Sequence, residues 1–383
     1  MATNQDTDLQ YELTGSPDGL KTQEMLLNMG PQHPSTHGVL RLIMTLEGET
    51  VTNCTPVIGY LHRGIEKILE NRPVMGGIRY MDNADYLSPM LNETAYVGAV
   101  EQLMHIEAPR RAQYIRLLTN ELQRIASHLV GIGTYGMDLG ATTPILWGFR
   151  DREGILTLFE ALGGSRFNVN YMRVGGVLHD FPKGWLAECE AFLDTLEKNM
   201  VEMDGLLSGN EIFMSRTQGV GYIDPQQALA YGLTGPMLRA SGVNWDLRVN
   251  RPYMAYREVP VNVVVRQEGD CFARYYVRLQ EITESIRLCR VAIDKMPGGP
   301  IGTRTPIALR VPRGETYFAI ESSKGELGVY FIGDGSEYPW RAKLRGPSFV
   351  NLQIVPELLR GHKMSDTIAI LGSTDIVLGE VDR

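Results

Sequence analysis

Between residues 24 and 60 apolar and polar positions alternate, with Val39, Leu40, Leu42, Met44 and Leu46 leading into Glu47-Gly48-Glu49. Alternation of period two, closed by a glycine-bearing turn, predicts a strand, a turn and a returning strand. From Ser88 the spacing becomes helical, first through Tyr96, Val100 and Leu103, then after Pro109 through Tyr114, Leu118, Leu122, Ile125, Leu129 and Ile132. Apolar residues recurring every three or four positions line one helix face, and Pro109 suits a first turn. A third helix is expected to follow Pro144 and end at Gly163-Gly164. A fourth is expected from about Pro182 to Leu207, and a fifth from Cys271 to Met296, stopped by PGGP.

Beyond Pro300 the alternation returns. Leu327, Val329 and Phe331 interleave with Gly328, Tyr330 and Ile332, and GDGS turns the chain into Trp340, Ala342 and Leu344. That last strand would carry Arg341, Lys343 and Arg345 on one face, either a solvated polar face or a docking surface for an acidic partner. The expected class is α+β: a polar extension over 1–24, a β unit over 25–60, a helical bundle over 61–300 and a second β unit over 301–383.

The chain has 383 residues, 43% of them hydrophobic, enough for a large core. Its net charge of -8 argues against a general nucleic-acid binder, which needs clustered Lys and Arg. The polar start lacks the apolar core of a secretory signal, and no run of 18 apolar residues occurs. The expected location is therefore cytoplasmic, with peripheral membrane attachment through a partner left open. Cys54, Cys189, Cys271 and Cys289 form no CxxC pair, so no iron–sulfur or zinc site of the chain's own is expected.

The stretch GPQHPSTHGVLR, residues 30–41, sets His33 and His37 four apart. On a helix that spacing can hold a metal, but Pro34 and Gly38 break a helix and no further ligand cluster lies nearby. A loop entering a strand fits better, in which one imidazole either relays protons or is a satisfied loop histidine. His128, beside the apolar face of the helix after Pro109, reads as a packed histidine. His62, His105, His179 and His362 suggest no partner.

GPQHPSTHGVLR is joined in order by GYLHRGIEK, DYLSP, NELQRIASHL, MDLGA, GLTGPMLRASGVNWDLR, GPSFVNLQ and LGSTDIVLGEVDR. Together these resemble the 49 kDa subunit family of respiratory complex I, the proton-pumping NADH-quinone oxidoreductase, from about Met25 to Arg383. The resemblance extends to relatives fed by ferredoxin. It implies the related fold of the nickel-iron hydrogenase large subunit, a long-helix bundle flanked by N- and C-terminal β units. Where that relative holds nickel through two CxxC pairs, this chain has Arg79-Tyr80-Met81-Asp82 and Asp375-Ile376-Val377-Leu378. Without thiolates a hydrogenase activity is not expected, and no metal is assigned.

The resemblance further implies a quinone headgroup held by His37 and Tyr86, with Asp138 orienting His37. The terminal iron–sulfur cluster would belong to a small partner subunit, so no cofactor is expected on this chain alone. Other peripheral-arm subunits, and a membrane-arm subunit at the quinone entrance, are implied partners on the cytoplasmic side of the cell membrane. Chemically, two-electron reduction leaves negative quinone oxygens that need two donors, and a carboxylate beside an imidazole favours its charged, proton-bearing form. Loss of that proton would leave Asp138 without its counter-charge, an expected start for coupling to proton pumping.

Arg63 resembles a family arginine beside the partner's cluster; on the residues alone it equally caps a helix or pairs with Glu66. Asn83 and Asn168 stand where the family often has arginine and histidine. Fewer positive and titratable groups should lower the cluster potential and weaken its pH dependence, suiting menaquinone over ubiquinone, with Arg79 an alternative source of charge. The alternative is a non-catalytic scaffold of a related ferredoxin-dependent or hydrogenase-like membrane complex.

Overall fold

The computed structural model describes residues 11–15, 21–31, 38–306 and 308–383. Strands β1 (Tyr11–Gly15), β2 (Lys21–Met29), β3 (Arg41–Glu47) and β4 (Thr50–Val57) form an antiparallel meander in chain order. In β3, Leu42, Met44 and Leu46 are buried while their neighbours are only partly covered, as a pleated strand with one face on the core requires. On the far side of β4 the backbone of residues 362–364 takes up edge groups: Val51 N donates to His362 O at 2.9 Å and Met364 N to Glu49 O at 2.8 Å. The sheet reaches back to Tyr11, so the extension expected over 1–24 supplies β1 and part of β2. YELTG has too little apolar alternation to stand out, and an edge strand needs little of it.

The helical part opens with α1 (Ile65–Glu70) and α2 (Val74–Met81), then α3 (Pro89–Met104), α4 (Arg110–Asp138) and α5 (Thr143–Gly163). A two-strand ribbon, β5 (Met172–Arg173) with β6 (Gly176–Val177), interrupts the stretch before α6 (Trp185–Ser208). Four short helices follow, α7 (Glu211–Thr217), α8 (Pro225–Ala230), α9 (Pro236–Arg239) and α10 (Leu247–Asn250), and then the long α11 (Cys271–Asp294). Helix α4 packs against α5 and α11, and α6 packs on both of those. The α4–α5 crossing is close because it is made by glycines: a Cβ on Gly148 would lie 2.7 Å from Leu129 O, and one on Gly133 2.9 Å from Ile145 Cα. Helix α3 is covered on all sides from Pro89 to Glu101.

Strands β7 (Gly314–Ser322), β8 (Gly325–Gly333) and β9 (Pro339–Arg345) form a second antiparallel sheet, whose Phe318 ring occupies the space a Cβ on Gly98 of α3 would need. After Arg345 the chain is helical: α12 (Pro347–Leu352), α13 (Val355–Leu359), α14 (Met364–Thr374) and α15 (Leu378–Asp382). The β unit expected over 301–383 is therefore a sheet followed by helices. Helices of five or six residues show barely more than one apolar repeat, so spacing alone does not separate them from strands. Trp340 is 68% exposed, because the β8–β9 register shifts between Ile332 and Gly333 and the bulge breaks the alternation.

The basic stripe on β9 is a solvated polar face that also pairs with α1. Lys343 pairs with Glu66 at 2.9 Å and Arg341 with Glu70 at 2.8 Å, both carboxylates on α1, while Arg345 donates to Glu326 O. The stripe fastens the second sheet to the first helix. The bundle centre is also ionic: Glu121 pairs with Arg124 and Arg248, each at 3.2 Å, and Glu281 with Arg239 at 2.7 Å. His128 is fully buried with Nε2 3.0 Å from Glu281 Oε2, a packed histidine as its position on the helix suggested.

Candidate functional site

The loop from Asp82 to Ser88 joins α2 to α3 and carries Asn83, Asp85 and Tyr86. Asp85 is fully buried and shapes the loop by local bonding: its Oδ1 accepts from Leu87 N at 2.9 Å, and its carbonyl accepts from Asn92 Nδ2 at 3.1 Å. Gln123 of α4 ties the loop down by donating to Leu87 O at 2.8 Å. This leaves Tyr86 42% exposed, its ring over Gly379 of α15. A Cβ on Gly379 would come within 3.3 Å of that ring, so the glycine makes room for it.

Three residues expected near a partner's cluster meet one another. The Arg63 guanidinium donates to Asn83 O, and Asn168 Nδ2 donates to Asn83 Oδ1 at 3.3 Å. Arg63 neither caps α1 nor pairs with Glu66, whose carboxylate is taken by Lys343 and Arg383. The loop that bears Arg63 is pinned to the end of the chain: Asp382 accepts from Gly59 N at 2.8 Å and Leu61 N at 2.7 Å, and its carbonyl lies 2.7 Å from His62 Nδ1. Arg63 and Asn168 are exposed, and the Arg63 charge acts on Tyr86. Asp82 is a buried carboxyl next to Glu93, with the charges of Arg173 and, more weakly, Arg79 acting on it. Burial raises both acids, and their mutual repulsion drives Glu93 higher, so the pair holds a proton.

Asp138 closes α4 and meets α14, its Oδ2 3.3 Å from where a Cβ on Gly372 would lie. It and Tyr86 thus approach the same C-terminal segment at two points. His37, like His33, lies outside the described residues. The next residue, Gly38, has φ of 129°, and a Cβ there would lie 3.2 Å from Leu378 Cδ1. The described end of that loop therefore abuts the residue before the glycine under Tyr86.

Beneath Tyr86 lies a set of charges that no sequence motif isolates. At the β7–β8 turn Lys324 is 2% exposed; its Nζ donates to Ser127 Oγ at 2.9 Å and stands 3.6 Å from Asp375 Oδ2 and 3.9 Å from Asp85 Oδ2. Ser323 Oγ bridges Ser88 and Ser127 at 2.8 and 2.9 Å and holds the turn in place. Arg278 of α11 approaches Asp375 at 3.4 Å. Glu380, next to Gly379, accepts from Ser348 N at 2.8 Å. Burial raises the Tyr86 hydroxyl above its ordinary value and Asp85 adds to this, while Lys324 and Arg63 work against it. All four cysteines are buried and free, with Cys54 and Cys189 pushed up to about 12 by burial. Among the described residues no three His, Cys, Asp or Glu side chains are grouped to hold a metal. A cleft of about 580 Å³ lined by Glu101, His105, Arg116, Arg257 and Phe318 includes none of the expected site residues.

Comparison with known proteins gives the same class, a subunit of a redox enzyme. The family model for the respiratory-chain NADH dehydrogenase 49 Kd subunit matches residues 138–310 and 303–383. A subunit of the NADH-quinone oxidoreductase of Desulforamulus reducens is 52% identical over 95% of this chain and 99% of its own length. Its counterpart in Geobacillus thermodenitrificans is 50% identical over 95% of this chain and all of its own, and a subunit of the NAD(P)H-quinone oxidoreductase of Gloeobacter violaceus is 47% identical over 95% and 98%. The chain belongs to the respiratory-chain NADH dehydrogenase 49 kDa subunit family.

Proposed function

We propose that this chain forms the quinone-reducing chamber of a complex I type NADH-quinone oxidoreductase, with electrons arriving from an iron–sulfur cluster held by a small partner subunit. The observation that carries this reading is the exposed Tyr86 beside the Arg63–Asn83–Asn168 group and above the buried charges of Asp85 and Lys324. Such an arrangement offers a phenolic proton on a rigid loop, next to a surface where a second protein can dock.

In the reaction a quinone takes two electrons and two protons. One O–H bond forms at each quinone oxygen; one proton leaves the Tyr86 hydroxyl and the other comes from His37. Asp138 serves as the partner that orients His37, and its uncompensated charge after proton transfer starts the coupling to proton pumping. The fold is read as that of the hydrogenase large subunit with its nickel cysteines replaced. No described helix is long and apolar enough to cross a membrane; contact with the cytoplasmic side of the membrane is assigned to a membrane-arm partner at the quinone entrance.

The neutral amides of Asn83 and Asn168 support a low-potential partner cluster and a quinone such as menaquinone. The direct test is quinone reduction by the assembled enzyme carrying Tyr86→Phe, which removes one hydroxyl and little volume. The rate should fall about a hundredfold, within the range for loss of a general acid, while cluster reduction by NADH persists. A wild-type rate would instead favour the scaffold reading.

A further inference from the structure

Arg152, halfway along α5, is a buried cation that the chain itself does not neutralise. It is 5% exposed, and its Nε has no hydrogen-bond partner among the described residues. Burial first, and then the like charge of Arg166, push its guanidinium below the ordinary value, and no described carboxylate opposes them. The acids close to it in sequence are already taken. Asp151 accepts from Arg150 Nε and Asn199 Nδ2, both at 2.8 Å, and Glu153 and Glu160 pair with Arg166. What surrounds the guanidinium instead is aromatic: its central carbon lies 5.1 Å from the ring centre of Phe167 and 5.9 Å from that of Phe149. Both rings are themselves exposed, as is Leu146 one turn earlier on α5. A desolvated charge circled by open apolar side chains is unfavourable in a free chain and is the arrangement found at the centre of a protein interface. Phe167 immediately precedes Asn168, whose amide reaches Asn83 Oδ1 at 3.3 Å, so the patch continues the group assigned to face the partner's cluster.

We propose that Arg152 is a socket for a carboxylate of the small iron–sulfur subunit, received between Phe149 and Phe167 as the two chains dock. The socket takes its partner from the quinone-site reading, on which it rests, and adds a contact that holds the two chains together. A guanidinium presents parallel N–H donors that match both oxygens of a carboxylate, so an Asp or Glu side chain suits the free Nε edge of Arg152. The flanking rings shut out water, which strengthens the attraction, and docking covers the apolar surface of Leu146, Phe149 and Phe167 in the same step. Of Arg150, Arg152 and Arg166, only Arg152 lacks an acid among the described residues, and it is the most buried of the three. The free chain bears the cost of that desolvated charge alone, whereas the docked pair is neutral.

The test measures binding of the full-length chain to the small iron–sulfur subunit, together with the thermal midpoint of the free chain, for wild type, Arg152→Met, Arg152→Lys and Tyr86→Phe. Arg152→Met should release the subunit about a hundredfold faster with little change in association rate, since removing one member of a buried charge pair acts on dissociation. Arg152→Lys keeps the charge but loses the planar fork, and should fall between the two. The free Arg152→Met chain should melt no lower than wild type, because no internal acid loses its partner. A lower midpoint would make Arg152 a packing residue and overturn the socket. So would an Arg152→Met chain that binds the subunit as tightly as wild type, whether the anion at Arg152 then comes from a lipid headgroup or from another subunit. Tyr86→Phe should bind the subunit as wild type does and, once assembled, reduce quinone slowly. If it reduces quinone at the wild-type rate while Arg152→Met still dissociates quickly, the quinone site fails and the socket stands. If the wild-type chain does not bind the small subunit, the partner assignment fails and the socket with it.

Discussion

Gly379→Ala perturbs the Tyr86 site by one methyl group whose consequences can be worked out from geometry. The new Cβ would lie 2.8 Å from Ala84 O and 3.3 and 3.4 Å from two carbons of the Tyr86 ring. Real Cβ atoms do not come within 3.0 Å of a backbone oxygen, so either α15 or the Ala84–Tyr86 loop must retreat by roughly half an ångström. Gly379 is helical, so alanine carries no backbone strain and gains up to about 1 kcal/mol of helix propensity. Overpacking costs about 1–3 kcal/mol, leaving a net loss of about 1 kcal/mol, which a chain of this size tolerates. Catalysis is more sensitive, because misplacing a donor by about 1 Å costs on the order of a hundredfold. A displacement half that size should slow quinone reduction about tenfold in fully assembled enzyme. Gly76→Ala is the control: its Cβ meets nothing nearer than Pro73 Cδ at 4.0 Å, so it should raise stability slightly and leave the rate alone. A Gly379→Ala enzyme that reduces quinone as fast as wild type would falsify the claim that Tyr86 must be held against α15.

Redox titration of the assembled enzyme at several pH values should show a low-potential terminal cluster with a shallow pH dependence; a high potential falling steeply with pH contradicts the roles given to Asn83 and Asn168. Glu380→Gln can be read out in unfolding. Burial and Asp85 hold the native carboxyl near 7 against an ordinary value of 4.5, so the protonated acid is the form the fold favours. Its contribution is fully present below about pH 4.5 and is lost as pH rises to about 7, a change on the order of 3 kcal/mol. Urea midpoints of wild type should therefore drop relative to Glu380→Gln across that window; parallel curves would show that Glu380 is already ionised in the fold.

The long helices were legible because proline and glycine mark their ends and the core takes one side chain per turn: α5 starts by Pro144 and stops at Gly163, as the spacing indicates. The alternation at Leu42, Met44 and Leu46 likewise matches the buried face of β3. Tyr86, Arg63, Asn83 and Asn168 could be picked out only through resemblance, since nothing local in DYLSP or LHRG announces a site. The cluster under Tyr86 was not legible at all. Lys324, Asp375 and Glu380 reach Asp85 from far along the chain, and pairing across such distances leaves no period and no spacing to read. The same holds for β9, where Arg341 and Lys343 look like a free basic face until Glu66 and Glu70 are seen opposite them. The exposure of Trp340 follows from a bulge that shifts the alternation without any signature in composition.

Whether quinone is reduced at Tyr86 is tested most directly by a structure of the assembled enzyme with a quinone bound. One headgroup oxygen should lie about 3 Å from the Tyr86 hydroxyl and the other on the side of His37. A headgroup seated elsewhere, out of hydrogen-bond reach of Tyr86, would contradict the proposed site.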